Sequence, residues 1–226
     1  MSFIKSSVGP SRTLHTALVV AVALTSTACA SLSNKTKGAA IGTAAGGAAG
    51  AAIGSKTGST ARGAIIGAVV GGATGMIIGN RMDKQAEELA AELEGAEIER
   101  VGEGIQLTFA SGLLYDFDSD AIRADAAQNL RELANSLKEY PDTEVLIVGH
   151  TDALGSTVYN QDLSTRRANS ALAYLAMQNV GAARMHTSGM GELEPVASNG
   201  TESGRQMNRR IEVAIFAGAA ARTGTR

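Results

Sequence analysis

Ten glycines set four residues apart constrain this chain more than any other feature. Gly38, Gly42, Gly46, Gly50 and Gly54 form one run; Gly63, Gly67, Gly71, Gly75 and Gly79 form a second, offset by 25 residues. Ala, Ile, Val and Thr fill the intervals, and the polar connection 55–62 carries Lys56 and Arg62. A period of four places the glycines along one helical face. In water such a helix is poor, because each Gly costs about 0.8–1.0 kcal/mol relative to Ala. In lipid, or against a second flat helix, close backbone approach reverses that preference. The pattern therefore predicts a helical hairpin over 38–79, packed through its glycines. A run of seventeen residues is about 25 Å long, at the lower limit for a hydrocarbon core of about 30 Å. A flexible Gly/Ala linker has the same composition, but it has no reason to keep the spacing.

Charge divides the chain at the end of this ladder. Residues 1–80 hold six Lys/Arg and no acid, whereas 101–217 hold fifteen acids against nine bases. An acidic C-terminal half lacks the phosphate-neutralising surface that nucleic-acid binding needs. Lys5 and Arg12 precede an apolar run from Ala17 to Leu24 and then Ser26-Thr27-Ala28-Cys29, the layout of a secretory signal over 1–28. Cys29 is the single cysteine, so no internal disulfide exists. Its place is that of a lipidated mature N-terminus, although Ser26 stands where a lipobox usually has an aliphatic residue; cleavage after Ala30 is the alternative. Both readings export the protein, and the first attaches it to the outer membrane.

Residues 80–100 place Met82, Ala86, Leu89, Leu93 and Ala96 on one stripe, which predicts an amphipathic helical linker. From Val101 the composition becomes ordinary. Strands are expected at Gly104–Phe109, Glu144–Gly149, Met185–Met190 and Arg210–Phe216, with a short extended piece at Leu113–Phe117. Helices are expected at Arg123–Glu139, capped by Asp120, and at Leu163–Gln178, with Asp162 as a candidate cap. The order β-α-β-α-β implies an α+β domain, a small mixed sheet with helices on one face. The tail 218–226 carries no pattern and is expected to be disordered.

Four segments carry the chemistry: Tyr115-Asp116-Phe117-Asp118-Ser119; His150-Thr151-Asp152; Asn160 to Ala168, containing Leu163, Arg166 and Arg167; and Gly204 to Arg210, containing Asn208 and Arg209. In this order and spacing they resemble the C-terminal domain of the OmpA family, shared with peptidoglycan-associated lipoproteins and flagellar stator proteins, over 101–217. The glycine ladder resembles the glycine-zipper segments of bacterial envelope proteins. The resemblance implies an OmpA-like fold and a ligand, the diaminopimelate side chain of the peptidoglycan stem peptide, bound without a cofactor. It implies that Asp152 takes the ammonium and Arg167 the carboxylate. Asn160 and Leu163 are then expected to shape the pocket wall and Thr151 to hydrogen-bond beside Asp152. Phe117 and Asp118 fall where the family lines its ligand, though Phe117 equally suits the core. Arg209 adds positive charge near the pocket or pairs with Asp116 or Asp118, while Arg166 faces solvent.

The residue types suit that ligand on physical grounds as well. A zwitterion needs one anion and one cation, and the Arg fork can hold both oxygens of a carboxylate. The two residues can equally salt-bridge each other in the empty protein. His150, Asp152 and Ser164 are the types of a hydrolase triad, but no G-x-S-x-G elbow surrounds Ser164. His150 and His186 lack metal-ligand spacing, and neither metal nor catalysis is expected. Self-association through the ladder is the remaining partner expectation. It belongs to a rival reading in which the ladder works in the membrane and the C-terminal domain only anchors it.

Overall fold

The computed structural model describes residues 58–70 and 76–218. The signal, Cys29, the first glycine run and the chain beyond 218 lie outside the described residues. The elements are α1 (Thr60–Val70), α2 (Met76–Glu92), β1 (Ala96–Val101), β2 (Gly104–Ala110), α3 (Ser111–Leu114), α4 (Ala127–Glu139), β3 (Thr143–His150), α5 (Thr157–Met177), β4 (Met185–Gly191), α6 (Glu202–Asn208) and β5 (Arg210–Ala217). The strands form one mixed sheet in the order β1-β2-β5-β3-β4. β3 and β4 are parallel, joined by α5 as crossover, and every other pair is antiparallel. This is the α+β architecture expected, with β1 added ahead of it.

The central strands explain themselves once both faces are followed. Along β3, Val145 and Ile147 point to one side, Leu146 and Val148 to the other, and all four are buried. All eight residues of β5 are buried. Such runs need cover on both faces of the sheet. Helices α2, α4 and α5 supply the first, closing over Leu107, Phe109, Ile147, Val213 and Ile215 with Leu89, Leu133, Leu137 and Leu175. The second face is covered by α1, which comes from the second glycine run: Ala61, Ala64, Ile65 and Ala68 pack on Leu146, Val148, Ala214 and Phe216. The expectation of helices on one face thus describes α2, α4 and α5, and α1 adds a layer opposite them. Gly104 makes the seat for Ile65, since a Cβ there would lie 2.5 Å from the Ile65 side chain. Burying one such Ile is worth about 2–3 kcal/mol.

Residues 80–100 are not one helical linker. The stripe is correct in that Met82, Ala86, Leu89 and Leu93 are buried, but they enter the main core instead of separating two parts. The helix stops at Glu92, Gly95 takes φ 69°, and Ala96–Val101 is the edge strand β1 on β2. A helical stripe shows which face seeks cover, not what supplies it, and the left-handed Gly95 allowed the chain to turn back into the sheet. Three local expectations also shift. Ser111–Leu114 is helical and only Tyr115 is extended, bridging Ile122. Helix α4 begins at Ala127 without a side-chain cap, so Asp120 does not start it. Helix α5 begins at Thr157, capped by Ser156, whose hydroxyl accepts from the Tyr159 N–H. Its first turns project from the core, with Val158 81% exposed, which hides them from apolar periodicity. Asp162 is inside that helix and pairs with Arg166.

Candidate functional site

The site lies beyond the carboxyl ends of β3 and β4, the crevice where open sheets hold ligands. Two glycines let α5 settle onto these strands. Gly149 and Gly189 are register partners. A Cβ on Gly149 would lie 2.2 Å from the Ser164 carbonyl oxygen, and one on Gly189 would lie 2.6 Å from the Thr165 backbone nitrogen. The Ser164 hydroxyl donates to the Gln161 carbonyl and accepts from the Gly191 N–H, each at 2.9 Å. The Gln161 amide donates to the Gly189 carbonyl at 2.6 Å. Arg167 follows one turn after this stitched contact.

Arg167 is 5% exposed. Its Nε donates to the Ser119 carbonyl at 2.8 Å and its Nη2 to the Asp116 carbonyl at 3.3 Å. The guanidinium lies over the Tyr115 ring, 5.3 Å from the centroid, while the Tyr115 hydroxyl donates to the Arg167 carbonyl at 2.6 Å. Burial pushes the guanidinium pKa down, opposed by Tyr115, Asp118 and Asp120. An arginine so placed keeps its charge. Burial pushes the Tyr115 hydroxyl up, so it remains a donor.

Asp152 is 6% exposed and its two oxygens have different partners. Oδ1 accepts the Leu154 N–H at 2.9 Å; Oδ2 accepts Nη1 of Arg209 at 2.5 Å. Nη2 of Arg209 donates to Glu202 at 2.8 Å. Asp152 and Arg167 are therefore held by separate sets of groups. Arg209 pairs with neither Asp116, which binds Arg123, nor Asp118. It reaches across from the α6–β5 junction to Asp152 and is also bonded to Glu202 at the start of α6.

The remaining expected residues divide. Thr151 is buried, its hydroxyl donating to the Asp152 carbonyl at 2.9 Å and its N–H to Gly191 at 2.9 Å, so it shapes the loop. Asn160 is buried and donates to Glu192 at 2.6 Å; Leu163 is buried beside it on α5. Asp118 adopts φ 55° and accepts from the Tyr159 hydroxyl, tying its loop to the start of α5. Phe117 is 99% exposed, which removes it from the core: a residue at the tip of the 116–119 turn has nothing to pack against. Arg166 is partly exposed, as expected, between Asp120 and Asp162.

Sequence reasoning missed what the run Asn208-Arg209-Arg210 does. Its three side chains do three things. Asn208 is fully buried, accepting from the Val196 and Ala197 N–H groups and donating to Ala197 and to Asn199. Asn199 in turn accepts the Ala153 N–H at 3.1 Å, so Asn208 braces the loop that carries Asp152. Arg209 meets Asp152. Arg210 turns to the second sheet face and pairs with buried Glu212 at 2.8 Å. Glu212 also accepts from the Ser59 hydroxyl at 2.7 Å, and Glu194 accepts from the N–H and hydroxyl of Thr60. Two carboxylates therefore receive the N-terminus of α1, where helices favour negative charge. Burial alone would raise the Glu212 pKa, but His150, Arg210 and the Ser59 hydroxyl outweigh it and hold it at about 2. His150 is completely buried, 3.7 Å from that carboxylate, and among the described residues neither ring nitrogen has a hydrogen-bond partner. His150, Asp152 and Ser164 thus serve three separate contacts and form no triad.

Comparison with known proteins bears on the family and the fold. Residues 114–209 match the OmpA family, and residues 11–83 match the YMGG-like Gly-zipper. The chain is 34% identical over 113 residues to the outer-membrane lipoprotein YfiB of Pseudomonas aeruginosa, covering 50% of this chain and 67% of that one. It is 40% identical over 107 residues to the peptidoglycan-associated lipoprotein of Agrobacterium fabrum, covering 47% and 60%. The cell wall anchor of the T6SS from Pseudomonas aeruginosa superposes with a TM-score of 0.52 at 27% identity, covering 60% of this chain and 96% of that structure. The chain spans 62%, 32%, 30% and 57% of the length of four further outer-membrane and lipoprotein relatives.

Proposed function

The chain belongs to the OmpA family, with a glycine zipper ahead of the OmpA domain, and on that premise we propose that it binds peptidoglycan without cleaving it and ties the outer membrane to the wall. The observation that carries this reading is the pair of buried opposite charges, Asp152 and Arg167, at the carboxyl end of the parallel strands, each held by its own protein partners. Buried charges held apart from one another make a template for a ligand bearing both signs. The free end of diaminopimelate is such a ligand. Its ammonium goes to Asp152 and its carboxylate to Arg167, whose Nη1 enters none of the hydrogen bonds among the described residues. Leu163 and Asn160 form the wall along α5, while Thr151 and Asp118 set the two loops.

Cys29 carries the lipid in this reading, and the domain faces the periplasm. The rival reading, a ladder working in the membrane, loses one helix to the fold: α1 has Ala61 and Ile65 committed to the sheet. No helix among the described residues is long and apolar enough to cross a membrane.

Co-sedimentation of the detergent-solubilised chain with purified diaminopimelate-type sacculi tests the reading. Wild type pellets, free meso-diaminopimelate competes it off, and lysine does not. Equal pelleting of wild type and the Asp152→Ala/Arg167→Ala double variant refutes it. Mass spectrometry of the mature N-terminus tests the lipid on Cys29.

A further inference from the structure

In the structure a cation of the chain itself already stands on Asp152. Arg209 donates Nη1 to Asp152 Oδ2 at 2.5 Å, and the other carboxylate oxygen accepts the Leu154 N–H. An arriving ammonium meets a neutralised carboxylate with a guanidinium beside it. Both cations cannot share one buried oxygen without like-charge repulsion in a poorly screened place.

Arg209 also has somewhere else to go. Its Nη2 is bonded to Glu202 at 2.8 Å, and Glu202 is a surface residue that also holds Arg205. The Arg209 side chain is itself partly exposed, whereas the Asp152 side chain is not. The guanidinium can leave Asp152 while keeping an ion pair in water, so retreat costs little. Asp152 cannot leave, because its loop is braced through Ala153, Asn199 and Asn208.

We propose that Arg209 is an internal competitor for the ammonium subsite: it bridges Asp152 and Glu202 in the empty domain and withdraws to Glu202 alone when a ligand cation enters. This rests on the wall-binding reading above and assigns Arg209 the opposite role to a ligand contact. The competitor protects a buried carboxylate from standing unpaired, and it sets a threshold. Only a group that is itself a hydrogen-bonding cation restores what Asp152 loses when Arg209 leaves. An acetylated or otherwise neutral amine does not, and the free ammonium is the ligand group that can take the place of Arg209.

Competition lowers apparent affinity by the fraction of domains in which the site is open. If Arg209 sits on Asp152 in about nine domains of ten, removing it tightens binding about tenfold. Titrating the full chain in detergent with free meso-diaminopimelate and with sacculi measures this. Arg209→Gln tightens binding, by up to tenfold. Glu202→Gln, a surface change that leaves the fold intact, removes the retreat and weakens binding several-fold. In the Arg209→Gln background the Glu202→Gln change has no effect, a non-additivity that separates coupling from general damage.

Weaker binding by Arg209→Gln with an unchanged melting temperature overturns the proposal and makes Arg209 a ligand contact. An unaffected Glu202→Gln variant overturns it too, even where Arg209→Gln misfolds. If Asp152→Ala/Arg167→Ala binds like wild type, the wall-binding reading itself falls; if that variant fails to bind while Arg209→Gln matches wild type, only the competitor falls.

Discussion

Replacing Gly149 by Ala tests how the site is built. The added Cβ would lie 2.2 Å from the Ser164 carbonyl oxygen, 2.9 Å from its carbonyl carbon and 3.2 Å from its Cα. An ordinary contact needs about 3.4 Å or more, so α5 must rise by about 1 Å, because the obstacle is backbone and cannot rotate away. Overpacking of this kind costs about 1–3 kcal/mol, and a backbone obstacle puts Gly149→Ala at the upper end. For a chain of this size each kcal/mol shifts the melting temperature by about 2–4 °C, so a fall of about 6–12 °C is expected. Lifting α5 also pulls Arg167 from the Ser119 carbonyl, now 2.8 Å away, and binding to sacculi falls with stability. Gly112→Ala is the control, since a Cβ there meets nothing within 4 Å. Thermal melts followed by circular dichroism, with sacculus pelleting below the transition, give both readouts. A Gly149→Ala melt within 2 °C of the Gly112→Ala variant, with equal pelleting, refutes the packing argument.

Three further expectations follow from the same geometry. Glu212→Gln leaves Arg210 buried without its anion and destabilises the fold by about 3 kcal/mol, measured by urea unfolding at pH 7. Because the Glu212 pKa is depressed to about 2 on folding, its contribution is complete above the unfolded carboxyl value near 4.5 and is lost as pH falls towards 2; the stability of Glu212→Gln is correspondingly flatter across that window in an acid titration. Ile65→Ala empties the seat at Gly104 at a cost of about 2–4 kcal/mol, loosens α1 and speeds tryptic cleavage at Arg62, while β3 to β5 keep their amide protection in hydrogen exchange. Asn208→Ala leaves the Val196 and Ala197 N–H groups without their acceptor, costs about 3 kcal/mol, and weakens sacculus binding through Ala153, to be read by melting and pelleting together.

Much of the fold follows from local pattern. The runs at 104–109, 144–149, 185–190 and 210–216 are strands in the structure, and the apolar faces of α4 and α5 are the ones their periodicity shows. Element ends were less legible. The first turns of α5 carry Val158 and Tyr159 outwards, so no stripe marks them, and α4 starts late because Arg123 is held in the preceding loop by Asp116 and Asp125. The stripe over Met82 to Leu93 was visible, but its destination in the main core was not. Within the site, Asp152 and Arg167 stand out because one follows the end of a recognisable strand and the other lies on the next helix. Arg209 was visible as a charge, yet nothing near it in the chain shows whether it meets Asp116, Asp118 or Asp152.

Residue chemistry and short spacing by themselves determined the four-residue glycine period, the alternation of strands and helices, and one anion and one cation placed beside one sheet edge. These depend on local backbone preference and side-chain type, which neighbouring residues carry. Tertiary structure alone decided that the second glycine run covers the far face of the sheet through α1, that Ala96–Val101 joins that sheet as its edge, that Gly149 and Gly189 form a floor under α5, and that Arg209 pairs with Asp152. Each of these joins residues distant in the chain, Arg209 and Asp152 by 57 positions. An apolar stripe or a free charge encodes the need for a partner; which partner answers it is settled by the closure of the whole sheet.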